Sequence, residues 1–235
     1  RLILDKFSNT DDRFNKHRNY MMILLSVLCE LEIVSTNFVR DIKKRKVIKH
    51  IRLVLTDEER VLVNEYLFEY FPEFHRFLHI FFHSGARISE LLRVKDIDID
   101  FKNQRFRLLI QKGSNYREVW RQIKTVALPY WEEQMKTCKE NDFVFSKGLM
   151  PGVNQIQPYQ INKRWYRHVK KKFNIKADFY SLKHLHTTEV VEMINSNEAA
   201  LHNGHTSTDM VNKVYDIRRV SRNQKNIIDL DNKFA

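Results

Sequence analysis

Between Asp96 and Gly113 the chain reads DIDIDFKNQRFRLLIQKG, and this stretch decides the fold class. Before it, apolar residues recur at helical spacing; inside it the period shortens to two. Asp96 to Phe101 alternates polar and apolar, as a half-buried strand does, and RFRLLIQKG (105–113) is a second strand candidate. Across a KGSNY turn (112–116), VWRQIKTVALP (119–129) is a third. The pattern predicts a mainly α protein with a small antiparallel β-sheet, an α+β chain.

Helical spacing governs the flanks. Residues 17–32 (HRNYMMILLSVLCELE) read as one buried helix, followed by the connector STNFVRDIKKRK. Thr56 and Glu59 have capping-box spacing and open the helix DEERVLVNEYLFEYF, which Pro72 ends. A second apolar helix, Glu73 to about His83, runs into a Ser84-Gly85 turn, and ISELLRV follows as a short helix. Beyond Pro158, the residues Ile161, Trp165, Val169 and Phe173 fall on one helix face. Ser181 is placed to cap the next helix, and Thr208 to Val214 reads as another. A boundary falls in the basic connector near residues 44–54, dividing the chain into 1–50 and 51–235. The first residue is Arg, not Met, so the chain reads as a piece lacking an N-terminal portion.

Composition narrows the function class. Lys and Arg outnumber Asp and Glu by 41 to 29, a formal charge of +12. A basic globular domain of this kind points to nucleic acid. The cations cluster in KKRKVIKHIR (43–52) and KRWYRHVKKK (163–172). Each run alone reads as a solvated face; together they read as a phosphate-contacting surface. With 2 cysteines far apart and in no motif, a reduced cytoplasmic compartment fits best. No apolar stretch is long enough to span a membrane.

Several chemistries lack their signatures. The chain has no glycine-rich phosphate loop, no HExxH and no cysteine pair at zinc spacing. His75, His79 and His83 share a helix face, but no carboxylate accompanies them, so packing or solvation explains them better than a metal. What remains is a dispersed series: GARISELL (85–92), QKG (111–113), YSLKH (180–184), NGH (203–205) and Tyr215. Each piece alone is an ordinary turn or surface residue. Their order and spacing carry the information.

Over residues 56–216 that series resembles the tyrosine recombinase, or phage integrase, family. Arg87 occupies the family's first catalytic arginine in a G-x-R-x-S-E-L-L setting, and Lys112 its hairpin lysine. Tyr180-Ser181-Leu182-Lys183-His184 aligns with the H-x-L-R-H box, Asn203-Gly204-His205 with the L-G-H box, and Tyr215 with the nucleophile. The box departs from the family twice, with Tyr180 for its first histidine and Lys183 for its arginine. The interval from His205 to Tyr215 is one residue longer than usual, and no other tyrosine follows His205. Residues 1–50 resemble the end of the helical core-binding domain that precedes the catalytic domain.

The resemblance implies metal-free and cofactor-free chemistry on double-stranded DNA. Tyr215 would attack a phosphodiester to give a 3′-phosphotyrosine, storing the bond energy for rejoining. Negative charge would grow on the non-bridging oxygens, where Arg87 offers a planar, permanently charged fork. Lys112 would protonate the leaving 5′-oxygen as general acid, and His205 would hydrogen-bond a phosphate oxygen. Lys183 would keep a positive charge while losing the bidentate fork, and Tyr180 would donate a hydrogen bond without charge. The resemblance further implies a homotetramer on two duplexes, a role in a phage or other mobile element, and exchange of a C-terminal segment carrying Ile227, Ile228 and Leu230. Two other readings are a DNA-binding relative that no longer cuts, and a basic helical scaffold for RNA or membrane. The scaffold accounts for the charge but not for the ordered boxes.

Overall fold

The computed structural model describes residues 2–48, 52–205 and 207–228. It divides into two compact units, Arg1–Ile51 and Arg52–Ala235. The first holds α1 (Leu2–Phe7), α2 (Asp11–Glu30) and a 3₁₀ turn at Phe38–Asp41. Thr10 caps α2 by accepting from Arg13 N at 3.2 Å, and Asp11 and Asp12 favour its N-terminal dipole. The helix therefore starts well before His17.

Nor is α2 buried along its apolar length. Tyr20, Ile23, Leu24 and Val27 are exposed, while its buried residues are Phe14 and Arg18. Arg18 turns inward and donates to the carbonyls of Ile42 and Arg40, and Asn37 Nδ2 donates to Met22 O at 2.8 Å. The returning connector thus packs on the Phe14–Arg18 face, with the Arg45 guanidinium 3.9 Å over Phe14. MMILLSVL is apolar on every side, so hydrophobicity alone could not say which face would be covered.

The second unit opens on the expected capping box: Thr56 Oγ1 accepts from Glu59 N at 3.2 Å, and Glu59 Oε2 from Thr56 N at 3.0 Å. Helix α3 (Asp57–Tyr70) gives way at Pro72 to α4 (Pro72–Ser84), which stops at Gly85 in the left-handed region, φ 61°. Helix α5 (Ile88–Leu91) is a single turn. The sheet is an antiparallel meander in the order β1-β2-β3, with β1 Ile99–Asp100, β2 Arg105–Lys112 and β3 Asn115–Gln122.

Here the strand boundaries differ from the sequence pattern. Asp96–Asp98 is a 3₁₀ turn, because the Asp98 carboxylate takes Lys95 N at 2.9 Å and Arg107 Nε at 2.8 Å. Strand β3 starts inside the presumed turn, since Lys112 pairs with Asn115 across Gly113-Ser114 alone. After Ile123 the chain leaves the sheet for a 3₁₀ turn and α6 (Leu128–Met135), whose first turn holds Pro129. Proline has no N–H for a ladder and suits a helix start.

Helices then return: α7 (Pro158–Trp165), a π-helical turn (Tyr166–Lys170) and α8 (Lys171–Phe173). Ile161, Trp165 and Val169 face the core as read. Helix α9 (Ser181–Met193) is buried on all sides through its first two turns. Ser181 does not cap it. Asp178 does so, accepting Ser181 N at 2.9 Å on its carboxylate, while Ser181 Oγ donates to Asp178 O. Helix α10 (Ser196–Asn203), a π-helical turn (Val211–Tyr215) and α11 (Arg219–Ile228) follow.

The core joins α3, α4, β2, α6, α7 and α9 through rings such as Phe77, Phe81, Trp131, Phe145, Trp165 and Phe179. Burying each of these contributes about 1.5–3 kcal/mol. A second cluster, Val190, Val191, Ala199, Ala200 and Val211, ties α9, α10 and the π-helical turn together. His75 is buried and His79 stacks on Tyr130 at 4.3 Å; both ring Nε2 atoms lie within 3.0 Å of Asn64 Oδ1.

Candidate active site

The dispersed boxes meet at the α4–α5 turn, the head of α9, the end of α10 and the π-helical turn. Gly85 reverses the chain after α4. A Cβ there would stand 2.7 Å from the His202 ring, and φ is 61°, so glycine is required on both counts. Arg87 follows as the residue before α5. Its backbone N–H donates to Glu90 Oε2 at 2.8 Å, and its Nη1 donates to Glu90 Oε1. Burial opposes the Arg87 charge, but the Glu90 carboxylate outweighs it and holds the pKa above its usual value. Glu90 is 5% exposed, and despite burial the Arg87 backbone and guanidinium keep its carboxyl below the ordinary range. The guanidinium is thus aimed by a buried carboxylate.

Tyr180 precedes α9, and Lys183 and His184 lie in its first turn. The Tyr180 hydroxyl is 3.0 Å from the Tyr215 hydroxyl. Burial, reinforced by that bond, pushes the Tyr180 pKa well up, so it is a neutral phenol. Tyr215 itself is 4% exposed. Its placement is fixed from behind: Thr188 Oγ1 donates to Tyr215 O at 3.1 Å, and His184 Nδ1 donates to Val214 O at 3.0 Å. Lys183 is 2% exposed, its Nζ donates to Gly85 O at 2.8 Å, and the same Nζ stands 5.5 Å from the Tyr215 ring. Burial first, then the neighbouring Arg121 charge, bring the Lys183 pKa down to about 7.

His205 follows Gly204, whose φ of 70° ends α10. Its ring is 5.4 Å from that of Tyr215. Burial, then the charges of Lys183, Arg87 and Arg121, lower its pKa to about 4, so it is neutral near pH 7. Its Nε2 is buried with no hydrogen-bond partner, which leaves one ring nitrogen free to meet a ligand oxygen. Lys112 is the last residue of β2, opposite Asn115.

An open pocket of about 900 Å³ lies over this constellation, lined by Arg87, Arg93, Asn115, Arg117 and His205 among others. Tyr180, Lys183 and Tyr215 are not part of its lining. The structure therefore brings Arg87, Tyr180, Lys183, His205 and Tyr215 around one point, with Arg87 and His205 facing the open side. Glu90, Arg93, Arg117 and Arg121 are site residues that the sequence reading did not assign. For Arg121 a signal existed: it alternates with Val119 and Ile123, so a cation occupies the apolar face of a strand. Among the described residues, no group of three or more His, Cys, Asp or Glu side chains is placed to hold a metal.

Residues 73–220 match the phage integrase family, and the chain belongs to it. A probable integrase/recombinase of Acholeplasma phage L2 is 30% identical over 104 residues, covering 43% of this chain and 33% of that protein. The chain thus spans about a third of the length of that curated relative. Among solved structures, lambda integrase bound to DNA superposes with a TM-score of 0.71 at 13% identity, covering 99% of this chain and 82% of the other. The Tn1549 transposon integrase in complex with circular intermediate DNA gives 0.67 at 15% identity, covering 94% and 81%. A lambda integrase tetramer bound to a Holliday junction gives 0.70 at 14% identity, covering 88% and 63%. These likenesses establish the fold: mainly helical, with a small antiparallel sheet. No described helix is long and apolar enough to cross a membrane.

Proposed function

We propose that this chain is the catalytic part of a site-specific DNA recombinase that cuts and rejoins duplex DNA through a 3′-phosphotyrosine on Tyr215. The carrying observation is convergence: the Tyr215 hydroxyl is 3.0 Å from Tyr180, its ring 5.4 Å from His205 and 5.5 Å from Lys183 Nζ. These groups come from three places in the second unit: the head of α9, the turn after α10 and the π-helical turn.

In this reading the scissile phosphate enters the open pocket against Arg87 and His205. Tyr215 Oη forms a bond to phosphorus as the bond to the 5′-oxygen breaks. The phenolic proton leaves through the hydroxyl of the partly exposed Tyr180, which takes one proton in and passes one out to solvent water while staying neutral. Lys112, at the hairpin end, protonates the departing 5′-oxygen. Arg87 and the neutral His205 hydrogen-bond the non-bridging oxygens, and Lys183 adds its charge from beneath the Tyr215 ring. Preorganised donors of this kind supply most of the rate enhancement in such sites. The reaction needs no metal or nucleotide cofactor.

The partner is double-stranded DNA, gripped with help from Arg93, Arg117 and the cationic run at residues 163–172. Residues 1–50 are the end of a core-binding domain, and residues 51–235 the catalytic domain. Four chains act on two duplexes, in the cytoplasm, in service of a phage or other mobile element. Ile227 and Ile228, 71% and 80% exposed at the end of α11, would dock on a neighbouring chain. Leu230 lies outside the described residues.

The test is capture of a covalent adduct. A randomised library of nicked duplexes is incubated with the protein, denatured and resolved. A protein–DNA band with the wild type, lost in Tyr215→Phe while duplex binding persists, supports the proposal. A wild type that binds DNA without ever forming the band overturns it in favour of a non-cutting relative.

A further inference from the structure

A buried guanidinium stands between β3 and the two loops that carry Arg87 and His205. Arg121 is 4% exposed and enters from β3 opposite Phe106. Its Nη2 donates to Asn203 O at 2.8 Å and its Nη1 to Ser84 O at 3.4 Å, while its Nε has no partner. Ser84 begins the turn that delivers Arg87, and Asn203 begins the turn that delivers His205. One planar group thus spans the two turns on which the pocket's phosphate-facing residues depend.

The arrangement is costly. Burial pulls the Arg121 pKa down to about 10 even with Glu90 nearby to favour the charge. Gly204 is shaped around it as well: a Cβ there would lie 2.6 Å from Arg121 Nη2. An apolar side chain would fill the space at lower cost, but two inward-facing carbonyls of separate loops would lose their donors. Only a guanidinium offers several donors in a rigid fork able to hold both at once. Lys183 works in parallel, fixing the next carbonyl, Gly85 O.

We propose that Arg121 is a positioning residue: by bridging Ser84 O and Asn203 O it locks the Arg87 turn to the His205 turn and sets their placement across the pocket. This rests on the reading of Arg87 and His205 as phosphate-binding residues. Substitution with lysine replaces the planar fork by one ammonium nitrogen on a flexible stem, whose donors have no fixed spacing to match the two carbonyls. Substitution with glutamine removes the charge as well.

The test uses Arg121→Lys and Arg121→Gln in the whole 235-residue chain. Amide hydrogen exchange is followed at Ala86, Arg87 and His205, whose N–H groups donate to Ser84 Oγ, Glu90 Oε2 and Ala200 O. All three should exchange faster together, by about tenfold or more, as expected for loss of one charge-assisted hydrogen bond. Amides of β2 and of the middle of α4 should be unchanged. On the captured nicked duplexes, the single-turnover adduct rate should fall by a similar factor while duplex affinity stays within about threefold. Unchanged exchange at the two turns, loosening of one alone, or acceleration spread evenly over β2 and α4 would each overturn the assignment. Joint loosening in a protein whose wild type forms no adduct would uphold the bridge while overturning the recombinase reading.

Discussion

Lys183 should make this protein less stable at neutral pH than a variant that has lost the amine. The lysine is 2% exposed, and its pKa falls from 10.5 to about 7. At 1.36 kcal/mol per unit, that depression corresponds to about 5 kcal/mol of penalty for holding the charged form in the folded state. The sign follows from proton counting. Below about pH 7 both folded and unfolded chains carry the proton, so the penalty is present in full. Between pH 7 and 10.5 the unfolded chain binds the proton more tightly, so stability rises with pH and the penalty fades. Lys183→Met removes the titration but leaves Gly85 O without its donor, at a cost of about 1–3 kcal/mol. The variant should therefore be more stable than wild type by about 2–4 kcal/mol at pH 6, and less stable by about 1–3 kcal/mol above pH 10.5. Urea unfolding of both proteins across this range reads the difference directly. A difference that stays flat with pH would refute the reasoning and place the ammonium in water. If the swing is found, the lysine is retained at a stability cost, as expected of a functional charge.

Other outcomes follow from the same geometry. Glu90→Gln should lower stability near pH 7 by about 1–2 kcal/mol, because it strips the counter-charge from an ion pair whose carboxylate is buried but whose guanidinium is 42% exposed and partly screened by water. Since the Glu90 carboxyl is held low, that difference should vanish as pH falls through its folded pKa, which parallel denaturation curves would show. Duplex affinity should fall steeply with salt, with a log–log slope of several units, because a +12 chain releases counterions on binding; a flat titration in a fluorescence anisotropy series would count against DNA. EDTA should leave the adduct yield unchanged, and a requirement for added magnesium or zinc in the single-turnover assay would contradict the mechanism.

The architecture was legible where local chemistry is decisive. The Thr56–Glu59 box, the breaks at Pro72 and Gly85, and the Ile161–Trp165–Val169 face all lie where spacing and turn residues put them. Reading failed where tertiary contacts choose among equal local options. MMILLSVL gave no face to prefer, and the covered side of α2 was set by Arg18 reaching back to the connector. The alternation DIDIDF has strand period, yet the Asp98 carboxylate found backbone and arginine donors that favour a 3₁₀ turn. At the candidate site, the series located, in GARISELL, YSLKH and NGH, residues that the structure brings near Tyr215. It did not pick out Arg121, whose alternation with Val119 and Ile123 marks a cation on an apolar strand face but does not say which carbonyls it would hold. Nor could it show that Tyr180, in the place of a histidine, hydrogen-bonds the hydroxyl of Tyr215.

The central claim is that Tyr215 forms the covalent bond to DNA. Its most direct test is peptide mapping of the trapped adduct: nuclease trimming of the DNA, proteolysis, and mass spectrometry of the nucleotide-bearing peptide. The account predicts a 3′-linked nucleotide on the peptide containing Val214-Tyr215-Asp216, attached to the tyrosine. A nucleotide found on Tyr180, or on any residue other than Tyr215, would contradict it.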